Sequence, residues 1–512
     1  MKTILAVDSG TQSTRAMLFD ENGVLIDKVR EKFEPYFSLQ KGYAEQHAEL
    51  YWAKLCSACK TLKERNADIW DSVIGVTVTT MRDVGICVDK DMKPLRPALL
   101  WLDRREADFD FKKLPLRSRF CFNVAGMRDA AEKHARECRC VWIQQNEPEI
   151  WKNTYKYLQS STWLNYRLTG EVVDSVASMI GHIPFNYRKK RWMSRNNIQR
   201  PVFGDFGFDK LFPLVEPGAV IGKVSAAAAE ETGIKEGTPV VASGSDKGSE
   251  TLGTGAVDGE TASISFGTTA TVQFTTERYV EPDKFLPAYP AVYPGRYNPE
   301  TIVYRGYWML TWFLNEFARR QGEELTEKDF DRMLPTIPPG SDGLTVEPYW
   351  SPSLKRTEAL GAIVGFRERH TVFHIYRAII EGINFALMEG LKTMEKRAGV
   401  KIKKITVSGG GAQSDEVCKI TADMFGIPVV RVQTYETSGL GAAICAFVGL
   451  KEYPGYDEAI EKMVRVSRIF EPDPDAHAKY ARIFEKVYCP IYRRLRPVYK
   501  RIKKLKKGEI YV

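Results

Sequence analysis

Residues 7–15 read VDSGTQSTR, in which an apolar run ending at Val7 meets an acid, a glycine and a cluster of small hydroxyl side chains closed by Arg15. Two later turns have related chemistry, Gly267-Thr268-Thr269 and Gly409-Gly410-Gly411-Ala412, and each follows an apolar strand. Glycine lets the backbone approach a ligand closely, and consecutive N–H groups with hydroxyls can cradle phosphate oxygens. A GxxxxGK[ST] loop is missing, as is GxGxxG between a strand and a helix, so the familiar single-loop nucleotide sites lose their support. Three separate turns point instead to a nucleotide held in a cleft. Asp8 repels phosphate but can hold Mg²⁺, through water, beside it. Arg15 could neutralise charge that builds up on a transferring phosphoryl group. Asp246, in SGSDKGSETLGTG after the strand TPVVASG, can accept a proton from a substrate hydroxyl. Taken alone, an Asp in a Gly/Ser turn reads first as a structural cap.

The elements that must position these residues alternate short apolar strands with longer amphipathic helices, the pattern of an α/β protein. Strands are predicted over TILAVDSG, STRAMLFD and GVLIDKVREKF, then over residues 72–80 and VGICVD. Helices are predicted from about Ala48 to Glu64 and from about Thr371 to Ala398. The stretch SISFGTTATVQF repeats the layout of ILAVDSGTQSTRAMLF: strand, Gly-Thr turn with hydroxyls, strand. That repeat suggests a duplicated architecture with a site between the halves, although shared turn chemistry alone could produce it. The domain boundary is placed near residue 245, giving domains 1–245 and 246–512.

Length and composition bound the rest. A chain of 512 residues, 44% hydrophobic and 27% charged, is ordinary for a globular protein and exceeds what one core supports. No apolar run approaches the ~20 residues of a membrane span. The first apolar run stops at Asp8, too early for a signal-peptide core, so a cytoplasmic protein is expected. Nine scattered cysteines read as reduced thiols. Cys56 and Cys59 form a lone CxxC expected on one buried helix face, and Cys138 and Cys140 form a CxC. Neither has the second ligand pair of a zinc site. The formal net charge of +9 equals the nine Lys and Arg of the C-terminal run RRLRPVYKRIKKLKK. A solvated terminal helix explains that run better than a nucleic-acid face.

The motifs VDSGTQSTR, WLDRR at 101–105, NYRLTGEVVDSVAS, VVASGSDKGSETLGTG, SFGTTATV and VSGGGAQSDEVCKITADMFGIPV occur in the order seen in FGGY carbohydrate kinases. The chain resembles that family over about residues 3–450. The resemblance implies two RNase H-like domains of the actin/Hsp70/sugar kinase ATPase fold, the first mainly binding sugar and the second mainly ATP. It implies Asp246 as catalytic base, and Gly10, Thr11, Gln12, Ser13 and Arg15 in a first phosphate loop, with Mg²⁺ at Asp8. Gly267 and Thr268 match a second phosphate turn. Gly410, Gly411 and Ala412 match an adenosine-side loop, with Asp415 as a nearby polar contact. On the substrate side, Arg82 and Asp83 occupy the position of the Arg-Glu pair of glycerol kinases with the acid shortened. Lys247, next to the base, departs from the family's Gln or Asn and is expected to pair with Asp246 or with the substrate. Trp101 and Asp103 could add a stacking surface and an acceptor. The reading is therefore an ATP-dependent kinase of a small sugar, ketose or polyol, with a homodimer as the partner state to test. The weighed alternatives are an actin- or Hsp70-like switch that binds protein partners and a tail-dependent nucleic-acid protein.

Overall fold

In the first strand Ile4 and Ala6 alternate with Leu5 and Val7, and all four are fully buried. Successive strand side chains point to opposite faces, so this strand needs cover on both sides. The computed structural model describes residues 1–283, 286–318, 325–352 and 356–506 and supplies that cover. Strands β1 (Thr3–Ser9), β2 (Ser13–Asp20), β3 (Leu25–Lys32), β4 (Val73–Thr80), β5 (Val220–Lys223) and β6 (Pro239–Ser245) form one sheet in the order β5-β6-β4-β1-β2-β3. Strands β7 (Thr261–Phe266), β8 (Ala270–Phe274), β9 (Glu300–Val303), β10 (Lys404–Ser408), β11 (Val429–Val432) and β12 (Val466–Phe470) form a second, ordered β9-β8-β7-β10-β11-β12.

The two sheets repeat each other strand for strand. Antiparallel β1–β2–β3 corresponds to antiparallel β7–β8–β9. Parallel β1–β4–β6 corresponds to parallel β7–β10–β11. Even the antiparallel edge strand recurs, β5 on β6 and β12 on β11. The short repeat seen in the sequence thus extends to whole sheets. Both Gly-Thr turns are the β1–β2 and β7–β8 hairpin connections, in equivalent places.

Six helices matter for the site: α1 (Ala48–Arg65), α2 (Asp246–Gly253), α3 (Val372–Ala398), α4 (Asp415–Phe425), α5 (Thr437–Gly449) and α6 (Cys489–Lys506). On one side of the first sheet, Leu5, Val7, Ala16 and Leu18 pack with Tyr51, Leu55 and Leu62 of α1. Cys59 is buried in that contact and Cys56 lies at its edge. On the other side, Ile4, Ala6, Met17 and Phe19 pack with Leu440, Ile444 and Phe447 of α5. The first sheet is therefore finished by a helix from the far end of the chain. Helix α5 in turn crosses α2 backbone to backbone. A Cβ on Gly441 would stand 1.8 Å from the Ser249 carbonyl oxygen, and one on Gly253 would stand 2.0 Å from that of Thr437. Helix α3 covers the apolar face of the second sheet, where Ile264, Phe266, Val272 and Phe274 meet Ile379, Ile383 and Leu387.

The C-terminal helix departs from the sequence expectation of a solvated tail. Tyr499 is 4% exposed and its hydroxyl donates to Glu347 at 2.5 Å. Arg496 and Lys500 both pair with Glu358. Tyr499 in the basic run and Tyr492 just before it anchor one face, through Glu347 and Glu358, so only part of its charge faces solvent. Residue Lys507 of that run lies outside the described residues. Among the described residues no helix is long and apolar enough to cross a membrane.

Because the α2–α5 crossing admits no side chain, Gly441→Ala is expected to destabilise the protein by about 1–3 kcal/mol or more, as overpacking does. Gly410→Ala, whose Cβ would meet nothing within 4 Å, should leave the thermal midpoint nearly unchanged. Paired thermal melts of the two variants measure the difference.

Candidate active site

The site is built where β1, β4 and β6 end and α2 begins. Strand register puts Asp8 of β1 directly opposite Arg15 of β2 and beside Thr79 of β4. Arg15 Nη1 donates to Asp8 Oδ2 at 2.9 Å, and Ser438 of α5 donates to the same oxygen at 3.2 Å. Glu436, just before α5, lies 3.7 Å from Arg15 Nε and 2.8 Å from Lys28 Nζ. Burial pushes the Asp8 carboxyl up to about 6 against the pull of Arg15, and the neighbouring Asp246 and Glu436 carboxylates add to the rise. Asp8 and Asp246, 238 positions apart in the sequence, therefore share one electrostatic pocket.

Asp246 is the first residue of α2, with Ser245 capping the helix by accepting from Gly248 N. Its side chain is about one-third exposed, 31%, and Arg82 Nε stands 3.6 Å from Oδ1. Burial lifts its pKa above the ordinary carboxylate value, with Arg82 and Lys247 pulling the other way. The cap that the turn chemistry suggested is Ser245, which leaves the Asp246 carboxylate available to the cleft.

Around this pair the Gly-rich turns line up. Gly10 N donates to Ser13 O at 3.0 Å, closing the β1–β2 turn. Gln12 is exposed at its tip, and Thr11 accepts from Trp101 Nε1 at 3.0 Å while facing Met81 Sδ. Ser13 is buried and accepts from Arg30 Nε. Gly267 and Thr268 form the equivalent β7–β8 turn, with Thr268 exposed. The β10 turn requires its glycines: Gly409 has φ +80° and lies against the Phe266 backbone, and a Cβ on Gly411 would stand 2.3 Å from the Tyr307 ring. Gly410 is open and Ala412 buried.

Several expected substrate contacts turn out to be engaged by protein partners. The Arg82 guanidinium makes a two-pronged ion pair with Glu300 of β9, at 2.8 and 2.9 Å, and lies 5.1 Å from the Tyr289 ring centre. Asp83, at φ +58°, accepts from Arg139 Nη1 at 2.6 Å and from the backbone N and ring Nδ1 of His182 at 2.9 and 2.8 Å. Burial would raise the Asp83 pKa, but Arg139 and His182 outweigh it and hold the carboxyl far below the usual range. A Cβ on Gly181 would stand 2.4 Å from Asp83 Oδ1, so only glycine permits this approach. Asp103 is no free acceptor either, since it takes two bonds from the Arg105 side chain and one from Ala44 N.

Lys247 does not pair with Asp246 through its ammonium. Nζ donates to Glu250 at 2.7 Å and to Ser265 of β7 at 2.5 Å, and Ser408 of β10 donates to Glu250. Burial works against its charge, yet Glu250 and Asp246 hold its pKa above the ordinary lysine value. The lysine thus fastens α2 to the second sheet. Asp415, the first residue of α4, pairs with Arg431 at 2.8 Å and with Arg468. Glu300, Glu436, Glu250 and His182 were not singled out in the sequence. Glu300, Glu436 and His182 meet their partners across the fold, and no local motif marks them, whereas Glu250 lies in the SGSDKGSETLGTG stretch one turn from Lys247 and reaches Ser408 across the fold.

The model of the FGGY family of carbohydrate kinases matches the chain in both parts, the N-terminal domain over residues 3–253 and the C-terminal domain over residues 262–450. The chain belongs to the FGGY family of carbohydrate kinases. As such it is a phosphotransferase with a two-domain actin/Hsp70-like fold. It is 27% identical to YgcE, an uncharacterised sugar kinase of Escherichia coli K12, over 99% of this chain and 97% of that one. It is 26% identical to a xylulose kinase of Lactococcus lactis, over 96% and 97%. Among solved structures, a ligand-bound xylulose kinase from Lactobacillus acidophilus aligns with TM-score 0.83 at 22% identity over 98% of this chain and all of the other. A gluconate kinase from the same organism aligns equally well, with TM-score 0.83 at 21% identity over 98% and 99%.

For this FGGY kinase, Lys247→Met should leave Glu250 as an uncompensated buried charge and cost about 3–5 kcal/mol. The acceptor KM of the surviving folded enzyme should stay within about twofold of the parent. A large KM change with an unchanged thermal midpoint would instead return Lys247 to the substrate.

Proposed function

We propose that the chain transfers the γ-phosphoryl group of ATP to a hydroxyl of a small sugar, ketose or polyol bound between its two sheets. Asp246 is the general base of this reading. The observation that carries it is the placement of a one-third-exposed carboxylate at the start of α2, close enough to Asp8 for the two charges to interact, and next to the β1–β2 turn. Asp246 accepts the proton of the attacking hydroxyl, and its raised pKa makes it a stronger base than a free aspartate. Arg82, fixed by Glu300, orients the carboxylate from the side away from the incoming hydroxyl. The backbone at Gly10–Ser13 and at Gly267–Thr268 receives phosphate oxygens, and the Gly410–Ala412 turn receives the adenosine side. Residues 1–245 then carry mainly the sugar and residues 246–512 mainly the nucleotide.

Magnesium fits the acidic side of this pocket. Burial is the main cause that raises the pKa of Asp8, Arg15 pulls it down, and Asp246 and Glu436 add to the rise; a divalent cation beside this buried carboxylate would stabilise its charged form. No group of three metal-ligating side chains occurs among the described residues, as suits an ion that keeps water and phosphate oxygens in its shell. Asp8 would hold it, and when bound the ion neutralises phosphate charge. The relatives include xylulose kinases and a gluconokinase, so the acceptor class to search is ketoses, polyols and sugar acids.

A coupled ADP-release screen over those acceptors tests the reading: turnover of ATP should require one of them. Asp246→Asn should lower kcat by several orders of magnitude with ATP binding retained, and full activity would remove Asp246 from the role of base.

Asp8 supplies a separate test without substrate. Its folded-state pKa lies above the ordinary value, so the folded protein binds this proton more tightly than the unfolded chain. Stability from this group is present below about pH 4 and falls as pH rises to about 6, by up to about 3 kcal/mol. Asp8→Asn is therefore expected to melt higher than the parent at pH 7–8 in the absence of nucleotide and metal. That advantage should disappear near pH 4. A pH-independent difference between the two melts would contradict the buried-carboxylate account.

A further inference from the structure

The CxC of the sequence has no part in the proposed reaction, yet it lies one residue from the substrate-side turn. Cys138 ends one helix, Arg128–Glu137, and caps the next, Arg139–Asn146. Its Sγ is 3.2 Å from Cys140 Sγ and 3.5 Å from the His182 carbonyl oxygen. Arg139, between the two cysteines, holds Asp83 at 2.6 Å and the Leu100 carbonyl at 2.9 Å. Both thiols are buried, but the neighbouring His182 and Asp83 side chains are 23% and 19% exposed. A water-sized oxidant in the cleft is thus separated from Cys138 by one residue.

We propose that Cys138 and Cys140 are a reversible dithiol modification site, which a small hydroperoxide converts to an intramolecular disulfide. The sulfurs must close by roughly 1 Å to reach the ~2.05 Å of a disulfide bond. Residues two apart at a helix start already have Cα atoms within bridging range. The two thiols are chemically unequal. Burial raises both, but Cys140, His182 and the Val141 N–H bring Cys138 below the ordinary thiol value, while Cys140 stands well above it. Cys138 is therefore the attacking thiolate and Cys140 the resolving thiol.

The chemistry balances with the peroxide as oxidant. The Cys138 thiolate attacks one peroxide oxygen, the O–O bond breaks, and the released hydroxide takes up a proton to leave as water. The resulting sulfenic acid is attacked by the Cys140 sulfur. An S–S bond forms, the S–O bond breaks, and the Cys140 proton leaves with the hydroxyl as a second water. A dithiol reductant restores both thiols. Ring closure turns the peptide units on both sides of Arg139, which is the residue that holds Asp83.

Peptide mapping of the full-length protein tests this without substrate or nucleotide, so its failure is separate from that of the kinase reading. After brief hydrogen peroxide treatment, alkylation and trypsin digestion, peptide Glu137–Arg139 is expected joined to Cys140–Lys152 by a disulfide. Dithiothreitol should separate them. In Cys140→Ser, dimedone should label Cys138 as the trapped sulfenic acid. Recovery of the two peptides singly alkylated from the treated protein would overturn the proposal, as would links mainly to Cys87 or Cys121. Dimedone labelling that misses Cys138 would overturn the assignment of the attacking thiol.

Discussion

Everything in the cleft is referred to the crossing of α2 and α5. Helix α2 leaves the first sheet at Ser245, and α5 returns from the second half to cover that same sheet. They meet with Ser249 and Gly253 against Thr437 and Gly441, so closely that at Gly253 and Gly441 a Cβ would strike the facing backbone carbonyl. Close-packed backbone cannot drift the way long side chains can. The contact therefore fixes the start of α2, which carries Asp246, relative to the start of α5, whose Ser438 binds Asp8. Two carboxylates far apart in the chain are placed in one pocket by a contact that involves neither.

The two helices then differ in what they rest on. Helix α5 lies on the apolar face of the first sheet, whereas α2 meets the second sheet through Lys247, Glu250, Ser265 and Ser408. Further out, Arg82 joins Glu300 and Arg15 joins Glu436, each pairing an arginine of the first half with a glutamate of the second. Buried ion pairs give little net stability but penalise every arrangement that separates the partners. Here they define a register between the halves. They also explain why residues that look free for substrate in a linear reading are already engaged.

The sequence disclosed what is local. Short apolar runs bounded by turn residues marked β1 and β2, helical spacing marked α1 and α3 to within about a residue at each end, and the repeated strand-turn-strand pattern announced the duplication. The turn glycines were legible because their chemistry is unusual for their neighbours, whereas Asp246 alone read as a cap and only the family resemblance singled it out as a base. Partners across the fold were not legible. Asp83 meets Arg139 and His182, 56 and 99 positions away, and nothing beside Asp83 says so. Lys247 next to Asp246 suggested a pair, but a helix aims successive side chains about 100° apart, and the lysine reaches Glu250 one turn on. The basic tail misled for a related reason, since the Tyr residues that anchor it are outnumbered by charges.

The closing of the first sheet by α5 has a consequence for how the chain is made. When residues 1–253 have left the ribosome, α1 can already cover Leu5, Val7 and Leu18. The opposite face, with Ile4, Ala6, Met17 and Phe19, has only neighbours such as Ala177, Val241 and Leu252 until the covering side chains Leu440, Ile444 and Phe447 of α5 are synthesised. The first domain in the chain is thus the one that waits, its inner face open while the second assembles. Folding from the N-terminus onward ends here with a helix of the second half completing the first.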